Sequence, residues 1–253
     1  MGHTDKQTAF RLGEIVFVFL AILTALEFAV AAFVPSTLLL SLIALVKAGL
    51  VIYYYMHIYR LAESGGDPDS YEYKAGTLRL GLWLFLLSDA FVFGGLAVAR
   101  FNLLGMTRPN LNQTLGLIVT SVLLLSSFFM NRAETAMAHG DRRTFVTSLI
   151  ATLVLGIGFL IGVVGVEWPS AIHEGITPSG NAAGAVFFMM TGMHAFHVLT
   201  GVIFLLIVLR NGLRGLYSAE RHRAVEAAAV YWHFVDVVWI FFYPALYLIG
   251  TAI

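Results

Sequence analysis

Residues 231–241 read "YWHFVDVVWIF" and open the last apolar run of the chain. All but Tyr231, His233 and Asp236 are apolar or aromatic. A helix bound for hydrocarbon does not carry a histidine and an aspartate without a reason. Three residues apart, they share a helix face, and Asp236 must therefore point into protein or water. Trp232, Asp236 and Trp239 form a second, overlapping face, with Trp232 expected as an anchor at the membrane interface.

The rest of the chain supports a membrane setting. Of its 253 residues, 59% are hydrophobic and only 12% charged, against roughly 45–50% and about 25% in soluble domains. The apolar residues fall into seven runs, each near the roughly 20 residues needed to cross a bilayer. They cover Ile15–Val34, Thr37–Tyr59, Leu78–Ala99, Thr114–Met130, Phe145–Val166, Ala182–Leu209 and Val230–Ile249. The fold class is therefore all-α, a polytopic bundle of seven transmembrane helices. Twelve lysines and arginines fall on the side of the N-terminus, and only Arg100 and Arg108 fall on the other. Positive charge is retained in the cytoplasm, so the N-terminus is expected inside and the C-terminus outside. The polar start, "MGHTDKQTAFRLGE", lacks the pattern of a removable signal peptide.

The hydrated stretch "AESGGDPDSYEYKAG" reads as a linker over residues 62–76. It separates a two-helix hairpin, residues 1–61, from a five-helix core, residues 77–253. Zero net charge suggests no nucleic-acid partner, and the absence of cysteine excludes thiolate metal sites and cysteine nucleophiles. No internal repeat, phosphate loop or dinucleotide fingerprint stands out.

Ionisable groups inside the spans are the candidate functional residues. Glu27 and Lys47 lie at similar depth on the two arms of the hairpin, counting about 1.5 Å per residue from the turn at Pro35. They are expected to form a structural ion pair, with a proton-conducting role or contact with a partner helix as alternatives. Asp89 lies ten residues into span 3, near mid-membrane. His194 and His197 lie within "TGMHAFHVLTG" (191–201), where their spacing puts both rings on one face, one of them within reach of Asp89. A packing hydrogen bond, a metal site and a proton or lipid-access role all remain open, but a metal needs three or four converging ligands. Glu226 joins His233 and Asp236 toward the cytoplasmic end of the last span. Glu167, before Trp168, reads as an interfacial carboxylate. Gly158 and Gly162 have the spacing that lets two membrane helices approach closely.

Residues 76–253 resemble subunit III of haem–copper terminal oxidases, the cytochrome c oxidase subunit III family. "WLFLLSDAFVFGG" is similar to the family's Trp-x-Phe-x-x-Ser-Glu-x-x-Phe-Phe segment, "TGMHAFHVLTG" to its Thr-Gly-x-His-x-x-His-Val-x-x-Gly segment, and "EAAAVYWHFVDVVWIFFYPALY" to its final helix. The family usually has glutamate, its carbodiimide-reactive carboxylate, where this chain has the shorter Asp89. The hairpin segment "LLLSLIALVKAGLVIYYYMHIYRL", with "TALEFAVA" before it, instead resembles the small bacterial oxidase subunit IV.

The resemblance implies a non-catalytic subunit, in the bacterial plasma (inner) membrane, of a complex that reduces oxygen to water and pumps protons. It implies no cofactor bound by this chain, with haem and copper in partner subunits I and II, and contact with further respiratory-chain complexes. It implies bound phospholipid, with Arg79 and Arg210 as candidates for holding a lipid phosphate, and support of proton uptake by the catalytic subunit. A quinol oxidase, a nitric oxide reductase complex and an independent transporter are the rival assignments.

Overall fold

The computed structural model describes residues 5–34, 36–63 and 71–252. Among the described residues, seven helices are long and apolar enough to cross a membrane, and the chain is an all-α, multi-pass membrane protein. Helix α1 spans Lys6–Phe33. Helix α2, Thr37–Leu50, runs on through a π-helical turn, Val51–Tyr55, and a 3₁₀ segment, Ile58–Glu63, follows. Helix α3 spans Tyr71–Leu104, and the two-residue strand β1 (Thr107–Arg108) leads to α4, Gln113–Ala138. Helix α5, Arg142–Leu160, continues through a π turn, Ile161–Glu167, into the short α6, Trp168–His173. Helices α7, Ala182–Leu213, and α8, Arg223–Tyr243, complete the bundle. A last π turn, Pro244–Leu248, then delivers β2 (Thr251–Ala252) to pair in parallel with β1.

Local chemistry sets the helix starts. Asn112, Asp141 and Asn181 each accept a hydrogen bond from the backbone N–H three residues on, at 3.0, 3.1 and 2.8 Å. A side-chain oxygen there replaces a missing helical partner. Between α4 and α5, Gly140 adopts φ 72°, which a glycine reaches without steric cost and which reverses the chain in a few residues.

Helix α8 is the hub, with most of its apolar stretch buried inside the protein. The small residues opposite explain how it gets there. A Cβ on Gly156 of α5 would lie 2.5 Å from the Trp232 ring, and one on Gly201 of α7 would lie 2.9 Å from it. Trp232 therefore fills a slot that two glycines leave open. It is 1% exposed, and its indole N–H donates to Ser126 Oγ at 3.0 Å. The expected interfacial anchor is instead a core residue, because the glycines admit its ring and Ser126 satisfies its polar end. Trp239 repeats the pattern, donating to Thr120 Oγ at 2.9 Å. Gly162 meets Val119 of α4, where a Cβ would lie 2.8 Å from the valine methyl.

Several span limits differ from the sequence expectation, as helices run on past the apolar runs or stop short of them. The fourth span continues past Met130 to Ala138. Met130, Ala133 and Met137 keep helical spacing against the core, and Glu134 finds a cationic partner. The second span ends at Tyr55 and not at Tyr59. His57 turns the chain with φ 51°, and Arg60 N–H donates to its carbonyl at 2.9 Å. Of the linker read over 62–76, residues 64–70 lie outside the described residues, and α3 already begins at Tyr71.

Candidate functional site: polar clusters inside the bundle

The ionisable residues gather at four levels along the bundle. The first is on the face where α1 begins. Arg60, from the 3₁₀ segment, lies 3.3 Å from Glu134 of α4 and 3.4 Å from Glu226 of α8. Arg79 of α3 reaches the same Glu226 oxygen through Nη2 at 2.9 Å and Nε at 3.0 Å, and donates from Nη1 to the Arg60 carbonyl at 3.1 Å. Two arginines and two carboxylates thus clasp four segments. Burial draws the Arg60 pKa down, but Glu134 and Glu226 outweigh it and leave it raised. Burial, then Arg60, pulls His57 down to about 4, partly offset by its bond to the Tyr55 carbonyl. At the edge of this face Lys6 pairs with Asp141. That hydrogen bond, followed by those from Thr144, holds the Asp141 carboxyl well below the usual range. Arg210, in the last turn of α7, is exposed.

The second level lies deeper, where the hairpin meets α8. Glu27 and Lys47 form an ion pair whose side chains are 0% and 2% exposed. Asp236 and His233 of α8 lie in the same seam. His233 Nδ1 is 2.6 Å from Ser127 Oγ and 3.8 Å from Asp236 Oδ2, and both residues are buried. The hydroxyl of Tyr55 donates to the Gly13 carbonyl at 3.0 Å, and its ring centroid lies 5.1 Å from that of His233.

The third level separates the two histidines that the spacing placed on one face. Three residues turn a helix by about 300°, leaving two rings about 60° apart. That angle is enough to give them different neighbours. His194 is fully buried, 3.1 Å from the Val235 carbonyl and packed between Phe159 and Trp239. His197 Nδ1 meets the Met193 carbonyl at 2.8 Å, and its Nε2 faces Asp89 Oδ2 at 3.6 Å. That separation is beyond a direct hydrogen bond. The two groups face each other as acid and base at ion-pair range.

The fourth level is near the opposite face. Glu167 is 3% exposed and accepts a hydrogen bond from the Tyr247 hydroxyl. It is not the interfacial carboxylate expected. A π turn carries more residues than an α turn, so it rotates Glu167 off the outer surface and into the core. Arg100, counted above as a loop charge, is fully buried. It donates to the carbonyls of Ala245 and Gly105 at 2.7 Å, Ile249 at 2.8 Å and Thr107 at 2.9 Å.

Among the described residues, no group of three or more His, Cys, Asp or Glu side chains could hold a metal ion. Sequence reasoning missed Arg60, Glu134, Ser127, Tyr247 and Arg100. Only Glu134 carried a readable signal, the helical spacing of Met130, Ala133 and Met137 around it.

The family model described as cytochrome c oxidase subunit III matches residues 3–251, through the hairpin and the core alike. The chain belongs to the cytochrome c oxidase subunit III family. It is 31% identical over 229 residues to cytochrome c oxidase subunit 3 of Equus asinus, covering 85% of each chain. It is 35% identical to that of Papio hamadryas over 190 residues, covering 69% of this chain and 70% of the relative. Subunit III membership places the protein in the respiratory electron-transport chain, in a complex with other oxidase subunits. The subunit III family has no redox centre of its own.

Proposed function

We propose that this chain is the non-catalytic subunit III of a bacterial, proton-pumping haem–copper cytochrome c oxidase, set in the plasma membrane with its N-terminus in the cytoplasm. In this reading the haems and copper belong to subunits I and II. The chain binds phospholipid and sustains proton uptake by the catalytic subunit. The family match over residues 3–251 carries the reading.

The finer parts have their own support. Asp89 and His197 lie 3.6 Å apart on α3 and α7, an acid and a base at one depth. Two apolar grooves suit acyl chains. One, of about 490 Å³, runs between α3 and α7 along Leu96, Leu103, Val186 and Met189. The other, of about 600 Å³, lies between α5 and α7 along Ile157, Trp168 and Phe196. Arg210 stands exposed near the basic end of α7 and can meet a lipid phosphate, whereas Arg79 is engaged with Glu226. The bacterial assignment, and the hairpin of residues 1–61 as a unit of its own, rest on the likeness of residues 38–61 to the bacterial subunit IV.

Capture of the tagged chain in mild detergent, followed by an optical spectrum, tests the reading. A complex containing haem and copper that oxidises cytochrome c is expected. Asp89→Ala should keep the haem content while shortening sustained turnover or reducing retained lipid. A colourless, partner-free chain that transports solute after reconstitution refutes the reading.

A further inference from the structure

Where α1, α2, α4 and α8 meet, the bundle leaves a small cavity, mostly apolar, at which a few polar side chains converge. About 20 Å³ is open there to the centre of a water-sized sphere. That is room enough for an ordered water and too little for a larger solute. Its lining includes Thr24 of α1, Lys47 of α2, Thr120 of α4 and Asp236 of α8. Lys47 is 1% exposed and Asp236 4% exposed. Apart from Ser127 beside it, the Asp236 carboxylate has no hydrogen-bond partner among the described residues. Lys47 has three N–H donors, and the Glu27 carboxylate takes one of them. Thr24 Oγ donates to the Leu20 carbonyl at 2.9 Å, which leaves its lone pairs free. A buried charged group without a partner is costly, and an ammonium and a carboxylate lining one cavity have complementary needs.

We propose that this seam is a binding site for one ordered water molecule, held between the Lys47 ammonium and the Asp236 carboxylate. The lining chemistry selects water over an ion of similar size. A monovalent cation meets the Lys47 charge, and a halide meets the Asp236 charge. Water accepts from the ammonium and donates to the carboxylate, with Thr24 Oγ as a further acceptor. Its binding joins the Glu27–Lys47 pair of the hairpin to Asp236 and His233 of the central helix. The result is one polar chain across the boundary between hairpin and core. The site is independent of the Asp89–His197 pair and of the functional reading above.

The test uses the intact oxidase complex. A density map fine enough to show ordered solvent should place one peak within about 3 Å of both Lys47 Nζ and an Asp236 oxygen. Infrared difference spectra in ordinary and ¹⁸O-labelled water should show a water O–H band that shifts with the label and is lost or displaced in Asp236→Asn. A direct Lys47–Asp236 contact, a map without that peak, or a spectrum insensitive to the label overturns the proposal. Should Asp236→Asn fail to assemble, the map and the isotope shift of the unmodified complex decide the matter alone.

Discussion

Removing either member of the buried Glu27–Lys47 pair should destabilise the hairpin strongly, and by unequal amounts. Both side chains are essentially inaccessible, so each relies on the other for its solvation. Breaking such a pair typically costs about 3–5 kcal/mol, because it strands a charge in a low-dielectric interior. The surroundings decide which removal is worse. Glu27→Gln leaves Lys47 with Asp236 still lining the adjoining cavity, which puts the cost near the lower end, about 3 kcal/mol. Lys47→Met removes the lysine that lines that cavity, and leaves Glu27 and Asp236 in one seam. Its cost belongs at the upper end, about 5 kcal/mol. The double variant Glu27→Gln/Lys47→Met carries neither stranded partner and should return to within about 1–2 kcal/mol of the parent protein. Denaturant titration of the four proteins in mixed micelles measures the cycle. Single variants within about 0.5 kcal/mol of the parent, or effects that simply add in the double variant, would refute the reasoning.

Two further outcomes follow from other parts of the bundle. Arg100→Met strands four carbonyls, of which Ala245 and Ile249 lie in buried contacts, at about 1–3 kcal/mol for each buried acceptor. Hydrogen exchange at Ile249 and Thr251 should accelerate in that variant, and unchanged protection there argues against the clamp. His57 titrates near 4 in the folded chain against 6.5 ordinarily, so between those values the unfolded chain binds the proton first. Its contribution is complete above pH 6.5 and declines as pH falls toward 4, by about 2 kcal/mol after allowing for its partial exposure. Thermal unfolding profiles should accordingly lose that slope in His57→Gln, and identical profiles for the two proteins contradict it.

Hydropathy alone determined the all-α class, the seven spans and the positions of Glu27, Lys47 and Asp89 well inside them. Crossing a bilayer depends on the length and polarity of one segment, and both are written locally. The Glu27–Lys47 juxtaposition was equally legible, because both residues count back to the same turn. What each side chain faces was not legible, since that depends on segments far apart in the chain. Arg60 meets Glu226, 166 residues away, and Arg100 reaches the Ile249 carbonyl, 149 residues away. Trp232 lies in the core because Gly156 and Gly201 happen to open opposite it. Glu167 turns inward because a π turn rotates its helix. His194 and His197 part company because α8 and α3 flank α7 on different sides. The sequence thus determined which segments enter the membrane and which charges go with them. The tertiary structure decided which of those charges find partners, because pairing depends on helix rotation and close approach, and no single segment encodes either.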